Sequence, residues 1–235
     1  MEKIKDFNWG WMESSSTDAS FHKEHLTQEI FVDKIYESIF EVEEGDVVLD
    51  LGASIGPFSY SILEKNPSRV ICVEPSPVEI PTLISNLRES NFDLVPYGIS
   101  SQDGESTLPF LFGVDADPHL LERKVKLISF KTLLEKYNLE KIDFLKTDCE
   151  GGEYDVFNYE NSLWIKDNVK KVVGEWHLSS PELKEKFRDF RNKYLGVIFE
   201  NFEIRSLNGV DIKWDLWNES FIEYYSEVII HIDNR

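Results

Sequence analysis

The stretch VVLDLGASIGPFSY, residues 47–60, limits the fold more than any other part of the chain. A strand-like apolar run ends at Asp50, turns through Gly52 and Gly56, and leads into a helix whose first turn tolerates Pro57. Strand, glycine turn and helix in that order open a parallel α/β sheet, where ligands dock beyond the carboxyl ends of the strands. The glycines are spaced G-x-x-x-G and fall short of the dinucleotide fingerprint G-x-G-x-x-G. Asp50 weakens a nucleotide reading further, because a carboxylate beside a pyrophosphate costs free energy in a partly desolvated cleft.

The same alternation runs on. RVICVEPS, FDLVPYGIS, IDFLKT and KKVVGEWHL read as further strands, nearly all apolar, as strands covered on both faces are. Between them, helices are expected over 57–65, around 77–90, from Ser129, after the EGGE loop and over 181–195. Leu26, Ile30, Phe31, Ile35 and Ile39 predict an amphipathic helix from about His25 to Phe40. Residues 105–130 predict short extended pieces. FEIRSLNGVDIKW and YYSEVIIHI lie too close in sequence for a crossover helix, which predicts an antiparallel pair. The expected fold is α/β: a doubly wound, Rossmann-like, mostly parallel sheet with helices on both faces. One domain over 1–235 is expected, with an N-terminal arm and helix (1–44), a cofactor-binding core (45–178) and a C-terminal helix plus antiparallel pair (179–235).

Forty-four acidic against 25 basic residues give a formal charge of −19, which repels nucleic-acid phosphates and anionic membranes. No nucleic-acid partner is expected. Only Cys72 and Cys149 are present, and no apolar run has the length of a signal peptide or a membrane span. Reduced thiols and a cytoplasmic location are the expectation.

Acids also recur at the strand ends: Asp50, Glu74, Asp148 and Glu175. A phosphate-free cofactor carrying positive charge fits them, and S-adenosylmethionine brings a sulfonium and an ammonium group. Glu74 lies roughly 20 residues beyond the glycine turn, where a doubly wound fold places an acid on a ribose diol. A nicotinamide-dependent oxidoreductase is the weaker reading.

DLGASIGPFS, VEPSP and FLKTDCEGGEYDVF, in this order and spacing, resemble the FkbM-type methyltransferases, a branch of the class I S-adenosylmethionine-dependent fold. The resemblance covers about residues 45–178. Ser54 and Ser76 stand where that family commonly has Asn. It implies a seven-stranded sheet with the last strand antiparallel, and O-methylation, often of sugar or polyketide hydroxyls. Asp50, Gly52, Ala53, Ser54, Gly56, Glu74, Ser76 and Asp148 are the expected cofactor-binding residues.

Methylating an alcohol needs a base or a metal and in-line positioning. Lys146 and Asp148 on one strand, and Glu175 and His177 on the next, are the catalytic candidates. In one reading His177 or Glu175 is the general base. In another, Asp148, Glu150 and Glu175 hold Mg²⁺, which lowers the hydroxyl pKa. In a third, Glu150 and Glu153 merely favour the next helix N-terminus. The acceptor expected is a small molecule or glycan. Lys146, Asp148 and Glu175 are also similar to the set of RNA ribose 2′-O-methyltransferases, but the chain has no basic cluster to hold RNA. A non-catalytic cofactor-binding module of the same fold is the other alternative. Trp9 and Trp11, with Trp214, Trp217, Tyr224 and Tyr225, are core material or the lining of an acceptor lid.

Overall fold

A computed structural model of the chain describes residues 3–13, 17–109 and 122–235. The strands are β1 (Val47–Leu51), β2 (Arg69–Val73), β3 (Phe92–Val95), β4 (Gly98–Ser100), β5 (Gly104–Pro109), β6 (Glu122–Ser129), β7 (Ile142–Thr147), β8 (Val169–His177), β9 (Phe202–Arg205) and β10 (Glu227–Asp233). The α-helices are α1 (Thr17–Leu26), α2 (Pro57–Ser61), α3 (Ile80–Leu87), α4 (Phe130–Lys136), α5 (Glu153–Val156), α6 (Tyr159–Asn168), α7 (Pro181–Lys193) and α8 (Glu219–Ile222). Side-chain caps start four of them: Ser129, Asn158, Ser180 and Asn218 accept from the amides of Thr132, Asn161, Leu183 and Ser220.

Seven strands form one sheet in the order β3-β2-β1-β7-β8-β10-β9. β3, β2, β1, β7 and β8 run parallel, and β10 lies antiparallel between β8 and β9. The chain leaves β1 towards β2 and β3 and returns to β7 on the other side of β1. Strand order therefore reverses at the β1–β7 seam, the place where open α/β sheets receive a ligand. Alternate residues of each strand feed opposite cores. Leu49, Leu51, Ile71, Val73, Leu145 and Val172 pack on one face. Val48, Val70, Cys72, Phe144 and Val173 pack on the other, beneath Ile30, Ile35, Tyr36 and Phe40.

Two expectations need correcting. The helix expected over 25–40 is broken: α1 ends at Leu26, a wider π-type turn covers Thr27–Val32, and Lys34 adopts a left-handed conformation. The apolar spacing was nonetheless real, because Ile30 and Ile35 both reach the core across the break. FDLVPYGIS is two strands in two sheets, divided at Pro96 and Tyr97, with β4 joining β5 and β6 in a separate three-stranded sheet. Residues 110–121, inside the segment expected to hold short extended pieces, lie outside the described residues. The N-terminal arm is docked and packed: Phe7, Trp9 and Met12 form a buried cluster with Ile55 of the glycine turn. Asn86 bonds Asn8 in both directions. Trp214 and Tyr224, in contrast, are exposed. Among the described residues no helix is long and apolar enough to cross a membrane.

His231 of β10 is buried beside Phe40, with its Nε2 3.3 Å from Ser38 Oγ. Burial pushes its pKa down to about 4, opposed by a hydrogen bond to the Ile35 backbone and, more weakly, by Glu203, with Arg205 adding to the fall. A folded-state pKa below the unfolded value of about 6.5 means that the unfolded chain binds the proton first. Stability from this group is therefore lost as pH falls from about 6.5 towards 4. The protein should be about 2 kcal/mol less stable at pH 5 than at pH 7 from His231 alone. Urea unfolding at both pH values checks this against His231→Leu, in which that share of the difference should vanish. An unchanged difference in the variant would count against it.

Candidate active site

The glycine turn is shaped by the protein's own backbone. Gly52 has a φ of +76°, and a Cβ there would lie 1.8 Å from the Asp148 carbonyl oxygen. The β1 turn thus presses on the β7 turn, with the Asp148 amide donating to the Leu51 carbonyl at 3.0 Å. The close neighbour of Gly52, one of the expected cofactor-binding residues, is the chain itself. Ser54 also has positive φ, 50°. The amides of Gly52 and Ala53 both donate to the Val73 carbonyl, that of Gly56 donates to Ala53, and that of Ser54 donates to Glu74. Amides spent in this way cannot cradle a pyrophosphate.

Glu74, at the carboxyl end of β2, accepts from Ser54 N at 2.8 Å and Ser76 N at 2.7 Å. One amide on each oxygen presets the carboxylate and leaves lone pairs for a diol. Burial, with Glu79 adding to it, pushes its pKa up to about 8 against the pull of the two amides. Burial likewise lifts Glu79 to about 7. Such a place disfavours further negative charge and suits a ligand with hydroxyls and positive charge.

Asp50 differs from its expected role. It is fully buried; Oδ2 accepts from Ser59 Oγ at 2.7 Å, and Oδ1 is ion-paired with Lys146 Nζ at 3.2 Å. Its charge is compensated behind the turn and does not face the crevice. Lys146 is corrected with it. Its Nζ, on a residue 3% exposed, donates to the Gly52 carbonyl at 2.8 Å and stands 3.6 Å from Asp148 Oδ2. Burial alone would lower the Lys146 pKa, but Asp50 and Asp148 outweigh it and hold it above the usual lysine range. An ammonium held in this way braces the β1–β7 seam and has no free face for an acceptor.

Asp148, Glu175 and His177 do come together. β7 and β8 are neighbours, and Thr147 pairs with Gly174 one step before Asp148 and Glu175. The phenol of Tyr36 donates to Asp148 Oδ2 at 3.0 Å and lies 3.4 Å from Glu175 Oε2. Burial, then Asp148 and Glu175, keep the phenol well above its ordinary pKa, so it stays a donor. Burial pushes Glu175 up to about 9, with Asp148 adding and His177 opposing. Glu153, fully buried, accepts from the His177 amide at 2.7 Å and lies 3.1 Å from its Nδ1. Burial lowers the His177 pKa, but Glu153, then Asp148 and Glu150, reverse this and lift it to about 10. With that proton in place, His177 is no general base at neutral pH. Glu150 does not join the metal-type cluster expected for it: its side chain is 70% exposed, and the convergent set is Asp148, Glu175 and His177.

Sequence reading missed Tyr36 and Glu153. Tyr36 lies 112 positions from Asp148, on a segment read as plain helix, and nothing local marks it. Glu153 was read as an acid at a helix start; only its burial beneath β8 reveals it as the partner of His177.

A sheet of this order, with an acid-lined crevice at its reversal point, defines the class I methyltransferase fold. The profile of the methyltransferase FkbM domain matches residues 50–203, more than half of the chain. The chain belongs to the FkbM methyltransferase family. It is 27% identical over 184 residues, 64% of this chain and 73% of the other, to "Methyltransferase 1" of Beauveria bassiana (strain ARSEF 2860). Among solved structures it resembles a fibrillarin/Nop5p complex, with 16% identity, 96% of this chain and 83% of that one covered, and a TM-score of 0.48. It also resembles an rRNA methylase from Streptococcus thermophilus, with 9% identity, 94% and 98% covered, and a TM-score of 0.46. These structural likenesses concern the fold alone.

Proposed function

We propose that this methyltransferase transfers a methyl group from S-adenosylmethionine to a hydroxyl of a small molecule or glycan. The observation that carries the reading is the half-buried Asp148–Glu175 pair, held by Tyr36 and flanked by His177, beside a glycine turn that offers no phosphate cradle. When bound, S-adenosylmethionine supplies an electrophilic methyl group on a sulfonium. Glu74 would hold its ribose diol, preset by the amides of Ser54 and Ser76. The acid crevice favours its positive charges. The acceptor hydroxyl would lie against the Asp148–Glu175 pair, which takes up its proton as the oxygen gains the methyl group. Tyr36 and Glu153 act as positioning residues, the first on the carboxylates and the second on His177. The formal charge of −19 favours an uncharged acceptor over RNA.

Calorimetry with S-adenosylmethionine and label transfer from its methyl group to a panel of sugars and natural-product alcohols test the reading. The intact protein should bind the cofactor, and Glu74→Ala should weaken binding by about 10- to 100-fold, the worth of two buried hydrogen bonds. Label should appear on hydroxyl oxygen. Absence of cofactor binding, or label on nitrogen or carbon only, would overturn the proposal. Binding without transfer to any alcohol would favour a non-catalytic module.

A further inference from the structure

Tyr36 takes up one oxygen from each of two neighbouring carboxylates, Asp148 Oδ2 and Glu175 Oε2. The remaining oxygens, Asp148 Oδ1 and Glu175 Oε1, turn towards His177 Nε2 at 4.0 Å and 3.9 Å. That is well beyond the roughly 2.7–2.9 Å of a charged N–H···O bond. His177 is 6% exposed, and among the described residues its Nε2 makes no hydrogen bond shorter than the 3.5 Å approach of the exposed Glu150. Its other nitrogen, Nδ1, is held at 3.1 Å by the buried Glu153. A carboxylate behind one imidazole nitrogen, with the other aimed into an oxygen-lined gap, is the outer-shell arrangement that fixes a histidine as a metal ligand.

We infer that Asp148 Oδ1, Glu175 Oε1 and His177 Nε2 form a divalent-cation site of the mixed nitrogen and oxygen type, the incoming ion displacing the His177 Nε2 proton to solvent, with Glu153 as its outer-shell support. One donor atom from each of the three residues lies within 4.8 Å of the others. Donors at about 2.1 Å from one ion stand about 3–4 Å apart, so small side-chain rotations close the shell. An imidazole among the ligands selects Mn²⁺, Co²⁺ or Zn²⁺ over Mg²⁺, which favours oxygen alone. The site shares the reaction centre of the proposed methyl transfer. It rests on that reading only for the ion's role, which would be to lower the pKa of a hydroxyl bound there.

The experiment is a titration of the full chain, stripped with EDTA, with Mn²⁺, following free Mn²⁺ by electron paramagnetic resonance. A single site is expected, displaced by Zn²⁺ and Co²⁺ and only weakly by Mg²⁺. Glu175→Gln, which keeps the shape, should abolish it, as should His177→Ala. Glu153→Gln should weaken it about 10- to 100-fold without touching the ion, and Glu150→Gln should leave it unchanged. If His177→Ala fails to fold, a Zn²⁺-induced shift of the His177 Nε2 resonance in the intact protein gives the same information. No binding by folded wild type, binding undiminished in Glu175→Gln, or loss in Glu150→Gln equal to that in Glu175→Gln would overturn the inference. Calorimetry with S-adenosylmethionine on the same samples separates this failure from failure of the methyltransferase reading.

Discussion

Lys146→Met should lower the unfolding free energy by about 3–5 kcal/mol, the cost of leaving a buried charge without its partner. The uncompensated charge is that of Asp50, which has no solvent contact and keeps only the Ser59 hydroxyl once the ammonium is gone. The Gly52 carbonyl would lose its donor as well. Urea unfolding with the denaturant slope held constant measures the loss. Adding Asp50→Asn to Lys146→Met should recover a large part of it, because the orphaned charge goes too. A loss below about 1 kcal/mol in the single variant, within the range of a surface ion pair, would show that the pair does not brace the seam.

Gly52→Ala should be as damaging by a different route. The added methyl would sit 1.8 Å from the Asp148 carbonyl oxygen, a rigid backbone atom, on a residue with φ +76°. Left-handed backbone costs a non-glycine residue about 1–2 kcal/mol, and overpacking of this kind adds about 1–3 kcal/mol or more. Gly56→Ala is the control. Its φ is +86°, but the nearest atom, Leu83 Cγ, is 3.5 Å away, so only the backbone strain remains. Thermal unfolding and cofactor calorimetry should rank the variants wild type, Gly56→Ala, Gly52→Ala. Equal losses in the two would mean that conformation, and not contact with Asp148, sets the requirement at position 52.

The parallel core was legible because β1, β2, β7 and β8 are buried on both faces and their sequences are apolar almost throughout. Ser129 was legible as a helix start for a local reason: its hydroxyl serves an amide three residues on. Where sequence reading failed, the deciding contact was distant or the local signal was ambiguous. Apolar spacing through Ile30 and Ile35 cannot reveal the left-handed Lys34 between them. Pro96 punctuates FDLVPYGIS, but proline alone does not announce a change of sheet. Asp50 was read as facing a ligand because the register that sets Lys146 opposite it, across two strands 96 positions apart, is a tertiary fact. Tyr36 and Glu153 belong with these, each defined by a partner on another element.

The position of β10 has a consequence for how the chain is made. β9 precedes it in sequence but lies outside it in the sheet, so β9 cannot join the seven-stranded sheet until residues 227–233 have been synthesised. Until then the flank of β8 that carries Glu175 and His177 is a bare edge, open to pairing with another chain. Nascent chains stalled before Glu227 should therefore be the most prone to self-association, and arrival of that strand is the event that seals this edge of the sheet.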